Sequence, residues 1–325
     1  MYDARSLKPS IRVTEHHVEC PVIACNRSVD RQRQFFRREE PFRCPEHGIY
    51  ISPSTFEYEH AHTNLLRMDD ADLALFEKLS LGKAEAGRLA RERSEDALTF
   101  NVFRGLERTG TLDRILSSIT ATTVHGAVPS YWSLVSETGE THPLLRDARL
   151  AFEPHFRQCT EPDLLVETAD TLFLIEAKLG STNETTPTRE SVLPGYERAA
   201  DGWYSTVLCG SPRAVAVEQK LYQLMRCWLL GSWMANKAGK RFVLVNLVAS
   251  SSDGSVPARF GAHIMQSAER QFVRATWEGI RDALAGSTAM HNDSRVVALI
   301  DYLDHKTLGY ESGVLQHAFT SREVL

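Results

Sequence analysis

Two carboxylates and a lysine are the residues whose types and spacing most clearly support chemistry in this chain. Asp163 begins one expected strand, and Glu176 and Lys178 end the next one. A tight polar connection at 167–170 joins the two strands into a hairpin, which returns Glu176 close to Asp163. Strand side chains alternate between faces, so Glu176 and Lys178 point the same way. The hairpin is therefore expected to gather three ionisable groups at one end of an apolar pair of strands.

A divalent cation would suit this cluster. Carboxylate oxygens are the ligands that Mg²⁺ and Mn²⁺ prefer, and a bound cation would relieve the repulsion between Asp163 and Glu176. Lys178 would hold an attacking water or steady the charge that builds on a phosphoryl group. The cluster therefore predicts metal-assisted phosphodiester hydrolysis. The alternative is that these charged residues only solvate the end of a sheet.

The sequence around the cluster resembles the signature of the PD-(D/E)XK nuclease superfamily. Pro162-Asp163 is followed after twelve residues by Glu176-Ala177-Lys178, and the apolar run LFLI leads directly into that second motif. The likeness covers residues 94–249. It implies an α/β domain of restriction-endonuclease type, with a central mixed β-sheet flanked by helices. It also implies a Mg²⁺-dependent endonuclease that hydrolyses DNA and leaves a 5′-phosphate.

The resemblance adds further residues to the expected site. In that family a helical Glu before the sheet often joins the metal site, and Glu95 matches that position best. Capping of the helix also explains an acid in a first turn. The main-chain carbonyl of Ala177 is expected to assist the metal. A polar pattern on the helix after the Lys often supports the site, and of Gln219, Gln223 and Arg226 we favour Gln223.

A second set of metal-ligand side chains lies near the N-terminus. Two pairs with the spacings Cys-x4-Cys and Cys-x2-His supply the ligands Cys20, Cys25, Cys44 and His47. Such a set suits tetrahedral Zn²⁺, and a segment with so few apolar residues needs a metal to supply folding energy. Four protein ligands leave no open position, so this zinc-ribbon-like site is expected to be structural. The alternative is three reduced cysteines and a surface histidine, and His16 or His17 can replace one ligand.

The segment between the two ligand pairs is basic. Residues 26–43 contain six arginines and three acidic residues. Arginine recognises phosphate through its bidentate fork, and Phe35 and Phe36 either stack on exposed bases or anchor the loop. The loop is therefore expected to contact DNA, with a solvated charge run as the alternative. The expected contact residues are Arg27, Arg31, Arg33, Arg37 and Arg38.

The composition of the whole chain limits the class of protein. The 325 residues are 42% hydrophobic and 24% charged, which is ordinary globular composition and excludes disordered and collagenous classes. The net charge of −5 gives no global basic field, so a polyanion site has to be a local patch. Scattered cysteines, no apolar N-terminal stretch and no long apolar segment predict a reduced, cytoplasmic protein without membrane contact. Cys159, Cys209 and Cys227 are expected to be inert buried thiols.

The expected elements position these sites within an α/β order. A helix capped by Ser94 ends at Thr109-Gly110, a strand is expected near 132–135, and the hairpin strands cover 163–166 and 171–178. A long helix at 217–235 leads to a strand from Arg241 that is buried on both faces, and amphipathic helices are expected near 266–285 and 294–304. We therefore expect a zinc-ribbon-like module at 1–60, a helical connector at 61–93 and a nuclease-like domain at 94–325.

The combined expectation is a metal-dependent endodeoxyribonuclease that acts in restriction or defence against foreign DNA, as a homodimer or with a partner subunit. One alternative is a non-catalytic nucleic-acid-binding subunit that uses the zinc module and keeps the core as a scaffold. The intact acid–acid–lysine set disfavours that alternative. Another is a structure-selective or RNA-directed nuclease, which would share the same active site and which the sequence does not separate from DNA restriction.

Overall fold

The computed structural model describes residues 7–8, 11–32, 35–52, 55–66, 69–83, 89–156, 159–252, 254–286, 293–304 and 306. Contacts within the chain divide it into two compact units. The N-terminal unit comprises Met1–Thr109 with Arg281–Leu325, and the sheet unit comprises Gly110–Ile280. The domain boundaries expected after residues 60 and 93 do not coincide with this division into units. They refer to independent domains, and they stay predictions.

Strands and helices are numbered here in chain order. Among the described residues the strands are β1 (His17–Glu19), β2 (Ser28–Asp30), β3 (Tyr50–Ile51), β4 (Phe56–Glu57), β5 (Val128–Tyr131), β6 (Leu134–Val135), β7 (Leu164–Glu167), β8 (Thr171–Ala177), β9 (Arg241–Val248) and β10 (Arg270–Thr276). The α-helices are α1 (Asp70–Gly82), α2 (Glu95–Arg108), α3 (Leu112–Thr120), α4 (Pro143–Phe152), α5 (Leu193–Arg198), α6 (Tyr204–Val207), α7 (Tyr222–Ala238), α8 (Val256–Gly261), α9 (Trp277–Ala285) and α10 (Ser294–Leu303).

The N-terminal unit begins with two small antiparallel ribbons. β1 pairs with β2, and β3 pairs with β4. Their buried side chains form a small core that contains Val18, Val29, Ile49, Ile51 and Phe56 together with three cysteines. Further along, α2 begins as expected, because the Ser94 hydroxyl accepts a hydrogen bond from the Ala97 N–H at 3.2 Å. The expected helix within 61–93 is α1.

The sheet unit contains a six-stranded mixed sheet flanked by helices, which confirms the expected α/β class with a central mixed sheet, while the restriction-endonuclease type stays a prediction. The strand order is β10-β9-β8-β7-β5-β6. β6, β5, β7 and β8 are antiparallel neighbours, whereas β8, β9 and β10 run parallel. Parallel neighbours need a crossover, which α7 provides between β8 and β9 and α8 provides between β9 and β10. The runs Leu172–Ile175 and Phe242–Val245 are buried, because helices cover a sheet of this kind on its faces.

α7 lies close against β8 and β9. A Cβ atom added at Gly231 would stand 2.3 Å from a ring carbon of Phe242 and 2.8 Å from a methyl group of Leu174. Only a glycine permits this approach of the helix backbone to the sheet. Leu172, Leu174 and Leu244 belong to the core beneath α7, so alternate residues of β8 face this helix. The next residue in that alternation is Glu176.

Residues 266–285 were expected to form an amphipathic helix, and that expectation is wrong. The first part of the segment is β10, which pairs in parallel with β9, and only the second part is helical, as α9. The open edge of β9 supplies hydrogen-bond partners for Arg270–Thr276, and Phe272 and Val273 suit a strand. The α-helix expected at 294–304 is present as α10.

Two other expected elements have different bounds. Trp132 and Ser133 have positive φ values of 50° and 71°, so they form the tight turn between β5 and β6 rather than the start of a strand. The long helix begins at Tyr222 rather than near 217, because Lys220 has a φ of 55° and interrupts the helical path. It ends at Ala238, before Gly239 in the left-handed region.

Candidate functional site

The hairpin of β7 and β8 brings Asp163 and Glu176 together. Its antiparallel register pairs Leu164 with Ile175. The next residues beyond that pair are Asp163, which directly precedes β7, and Glu176. The Asp163 carboxylate also accepts a hydrogen bond from the Ala177 N–H at 2.7 Å. Both acids therefore lie at the carboxyl end of β8, next to the peptide group of Ala177.

The ammonium group of Lys178 pairs with the Glu176 carboxylate. Glu176 is completely buried and Lys178 is only 8% exposed. The Lys178 N–H donates to the Leu247 carbonyl at 2.8 Å, and the Lys178 carbonyl accepts from the Trp277 indole at 3.0 Å. Burying a charged pair costs desolvation free energy. A sequence that retains such a pair at the end of an apolar strand breaks a local folding rule, which is typical of a functional site.

Cys227 of α7 lies over the acidic pair. Its thiol donates to Glu176 Oε2 at a sulfur–oxygen distance of 3.9 Å. Burial raises the pKa of the Cys227 thiol well above its usual value, and the negative charges of Glu176 and Asp163 add to the rise. The thiol is therefore protonated at neutral pH. Cys227 was expected from the sequence to be inert. Its position one helical turn after Gln223, a residue expected at the site, was a signal that Cys227 also lies near the site.

Two buried amides also lie beside the acidic pair. Asn246 of β9 is the register partner of Glu176, and the Asn183 amide nitrogen donates to Asn246 Oδ1 at 2.6 Å. Both residues are completely buried. Within the described part of the chain, Asn246 Nδ2 has no hydrogen-bond partner. Sequence reasoning missed Asn246, whose signal was a single polar residue inside the apolar run RFVLVNLVA.

Three other residues were considered for this site: Gln223, Arg226 and Glu95. Gln223 lies in the first turn of α7, and its N–H donates to Thr185 Oγ1 at 2.9 Å. Arg226, one turn on, donates to the Glu153 carboxylate at 3.0 Å, so its charge is already compensated. Glu95 occupies the first turn of α2 in the N-terminal unit. The roles of Gln223 and Glu95 stay predictions.

The cysteine and histidine ligands of the N-terminal unit form a compact cluster. The sulfur and nitrogen atoms of Cys20, Cys25, Cys44 and His47 all lie within 4.8 Å of one another. His47 Nδ1 is 3.7 Å from Cys20 Sγ and 3.6 Å from Cys44 Sγ, and Cys25 Sγ is 3.9 Å from Cys44 Sγ. In a tetrahedral site with Zn–S bonds of about 2.3 Å, ligand atoms stand about 3.6 to 3.8 Å apart. The cluster can therefore hold a metal such as zinc.

The thiols of this cluster are compatible with a bound cation. Burial raises the pKa of the Cys20 and Cys25 thiols, so both would stay protonated without a nearby positive charge. A divalent metal reverses that preference because it binds the thiolate. The Cys25 thiol also faces Glu46 at 3.5 Å, and Arg27 donates to the same carboxylate at 2.7 Å. Arg27 is thus held beside the cluster by its ion pair with Glu46.

The arginines of the basic loop differ in their contacts and in their exposure to solvent. Arg38 donates to the buried Glu57 carboxylate at 2.6 Å, so it is tied to the fold. Arg31 donates to the Thr14 carbonyl at 3.3 Å. The Arg37 side chain is 63% exposed and lies 3.8 Å from Glu39. Arg33 lies outside the described residues.

The two phenylalanines of this loop differ as well. Phe36 packs edge-on against Tyr50, with ring centroids 6.5 Å apart, and so anchors the loop. Phe35 is 73% exposed. The structure therefore assigns anchoring to Phe36 and leaves the Phe35 ring available at the surface.

Comparisons with protein families, curated proteins and solved structures gave no match for this chain. The resemblance to PD-(D/E)XK nucleases therefore rests on the sequence motif and stays a prediction. Among the residues that the structure describes, every helix is too short or too polar to cross a membrane.

Proposed function

We propose that this protein is a metal-dependent endonuclease that hydrolyses DNA, with its active site at the carboxyl end of β8. The observation that carries the proposal is one arrangement: the Asp163 carboxylate accepts a hydrogen bond from the Ala177 N–H, next to Glu176 in the chain, and Lys178 is paired to Glu176. A second support is the chain path, in which an antiparallel hairpin leads through α7 into the parallel strand β9. A mixed sheet flanked by helices is what the resemblance implies.

The donor set fits a hard divalent cation. Asp163, Glu176 and the Ala177 carbonyl would hold Mg²⁺ or Mn²⁺, since these groups are oxygen ligands. When bound, such an ion neutralises phosphate charge and lowers the pKa of a coordinated water. Lys178 Nζ donates a hydrogen bond to the attacking water and orients it toward phosphorus, while Glu176 keeps the ammonium group in place.

The reaction itself is an in-line displacement. The water oxygen forms a bond to phosphorus while the bond from phosphorus to the 3′ oxygen breaks. One proton of the water is released to solvent, and the 3′ oxygen takes up a proton to become a hydroxyl. The products are a 5′-phosphate and a 3′-hydroxyl end, as the resemblance implies.

The Cys20, Cys25, Cys44 and His47 cluster is proposed to hold a structural Zn²⁺. Four protein ligands fill a tetrahedron, so the ion would stabilise the ribbons β1–β4 and take no part in hydrolysis. The loop that this module carries exposes Phe35 and Arg37. We assign to them stacking on bases and contact with phosphate, because aromatic faces and guanidinium groups perform these roles in nucleic-acid binding.

The proposal is tested by incubating the purified protein with supercoiled plasmid, linear duplex, single-stranded DNA and RNA, with Mg²⁺ or with EDTA. We expect Mg²⁺-dependent cleavage of DNA that EDTA abolishes. Glu176→Gln and Lys178→Met keep the shape of each side chain and should reduce cleavage by about 100-fold or more, since each removes a charge that acts in the transition state.

The matched control is Lys240→Met. Lys240 pairs with Glu167 at 2.6 Å, a Lys–Glu pair at the other end of β7, and its loss should leave cleavage unchanged. Thermal melts of all variants show whether they fold. Unimpaired cleavage by the folded Glu176 and Lys178 variants would refute their roles. Binding of DNA without cleavage by the wild type would favour the non-catalytic subunit, and cleavage of RNA alone would favour an RNA-directed nuclease.

A further inference from the structure

Glu153 is a buried carboxylate that sequence reasoning did not single out. It lies directly after α4, and only 2% of its surface is exposed. An ionised carboxylate at such a place requires several donors to offset its lost hydration. The donors that it has come from three separate parts of the sheet unit.

Four hydrogen bonds converge on this carboxylate. The Thr160 N–H donates to Oε2 at 2.6 Å, and the Thr160 hydroxyl donates to Oε1 at 2.5 Å. The Tyr196 hydroxyl donates to Oε1 at 2.6 Å, and Arg226 Nε donates to Oε1 at 3.0 Å. The Arg226 guanidinium also supplies the opposite charge.

Thr160 is held from both sides. Its carbonyl accepts hydrogen bonds from Arg149 Nε at 2.8 Å and Arg149 Nη2 at 2.6 Å. Its N–H, hydroxyl and carbonyl are therefore all bonded, and the residue is 4% exposed. Thr160 precedes Asp163 by three residues, and Pro162 between them has a restricted φ. Fixing Thr160 thus limits where the chain can place Asp163.

The same network reaches the other acid through α7. Arg226 is the neighbour of Cys227, whose thiol contacts Glu176. Glu153 therefore connects the segment that leads into Asp163 with the helix that packs over Glu176. Two carboxylates can share one cation only if their separation is maintained, and this network joins the two parts of the chain that set that separation.

We propose that Glu153 is a positioning residue, which acts through Thr160 to keep Asp163 at the distance from Glu176 that binding of a divalent cation requires. The inference rests on the proposed function, because it assigns a role to the same metal site. Glu153 itself does not touch the cation or the DNA. Its loss should weaken metal binding more than it slows the reaction of metal-saturated protein.

The test uses the full-length protein with Glu153→Gln, Thr160→Val and Thr160→Ser. We measure the Mg²⁺ concentration that gives half-maximal DNA cleavage, and we measure binding of Mn²⁺ alone by calorimetry. Glu153→Gln and Thr160→Val should raise both metal concentrations about 10-fold, as loss of groups that orient metal ligands typically does. The maximal rate at saturating Mg²⁺ should change much less, and Thr160→Ser, which keeps the hydroxyl, should behave as wild type.

Glu167→Gln is the matched control. Glu167 ends the same strand that Asp163 precedes, and it accepts hydrogen bonds from Lys240 at 2.6 Å and His142 at 3.1 Å. This variant perturbs a comparable polar network at the end of β7 opposite to Asp163, and it should leave the metal dependence unchanged. Folded Glu153 and Thr160 variants with wild-type metal dependence would overturn the inference and leave the nuclease intact, as would an equal shift in Glu167→Gln. A wild-type protein that neither binds Mn²⁺ nor cleaves would overturn both proposals.

Discussion

At the scale of single residues, two buried carboxylates of the sheet unit are each paired with one positively charged side chain. Glu176 is paired with Lys178, and Glu153 is paired with Arg226. Apolar replacements of similar volume would cost less to bury. Glu153 also bonds Thr160, which explains its burial in structural terms, whereas the Glu176 pair lies beside Asp163 where an apolar strand ends, at the proposed active site.

The cysteine cluster gives a prediction about zinc. The wild-type protein should contain close to one zinc per chain, and Cys44→Ser should contain much less, since the serine hydroxyl is a poor substitute for a thiolate ligand. Elemental analysis of the purified proteins measures this difference. Cys209→Ser is the control, because Cys209 is exposed and stands outside the cluster, contrary to the expectation that it is buried. A zinc-free wild-type protein would rule out the metal centre.

At the scale of elements, the packing of α7 on β8 and β9 determines the shape of the site. The helix approaches the strands closely at Gly231 and reaches Glu176 through Cys227. A shift of α7 away from the sheet would therefore open the space above the acids. The first turn of α7 is held to the loop that follows β8 by the hydrogen bonds of Thr185 with Tyr222 and Gln223.

This packing predicts the effect of a single methyl group. Gly231→Ala should lower the free energy of unfolding by about 1 to 3 kcal/mol, because the new Cβ meets Phe242 and Leu174 in a core that is already filled. Urea denaturation measures the change. Gly195→Ala in α5 is the control: among the described residues, nothing beyond its own helix backbone and chain neighbours lies within 4 Å of an added Cβ, so it should be neutral or slightly stabilising. Equal stability of the Gly231 variant and wild type would contradict the close approach of α7.

At the scale of the whole molecule, burial also makes stability depend on pH. Burial lowers the pKa of His142 below its usual value of 6.5, although Glu167 opposes the change. The unfolded chain has the ordinary histidine pKa, so between the two values it binds more protons than the folded protein. The contribution of His142 to stability is therefore fully present above about pH 6.5 and is lost progressively as the pH falls from there through the lower pKa of the folded protein.

The corresponding experiment compares the free energy of unfolding of wild type and His142→Gln at about pH 8 and about pH 5.5, the range in which histidine titrates. Glutamine keeps a donor toward Glu167 but does not titrate. The wild type should lose more stability between the two pH values than the variant does. An equal loss in both proteins would show that His142 titrates as it does in the unfolded chain.

Much of the local structure was predictable because it depends on neighbours in sequence. The cap at Ser94 sets the start of α2, and the apolar run before Glu176 sets β8. The segment 270–276 was not predictable in this way, since it becomes a strand only because β9 offers it a free edge. Lys220 likewise ends the helical path before α7 through a backbone conformation that its side-chain type does not announce.

The sequence by itself determined the chemistry that is available: two acids and a lysine at hairpin spacing, and four zinc-type ligands in two pairs. These are short-range properties, because strand alternation and ligand spacing are fixed within a few residues. Only the tertiary structure decided which distant groups join them. Cys227 reaches Glu176 through helix packing, and Asn246 pairs with Glu176 through strand register. Glu153 joins Thr160 to Arg226 through hydrogen bonds between residues up to 73 positions apart. Such contacts depend on how the chain folds back on itself, and a local pattern that hints at one of these residues does not specify its partner.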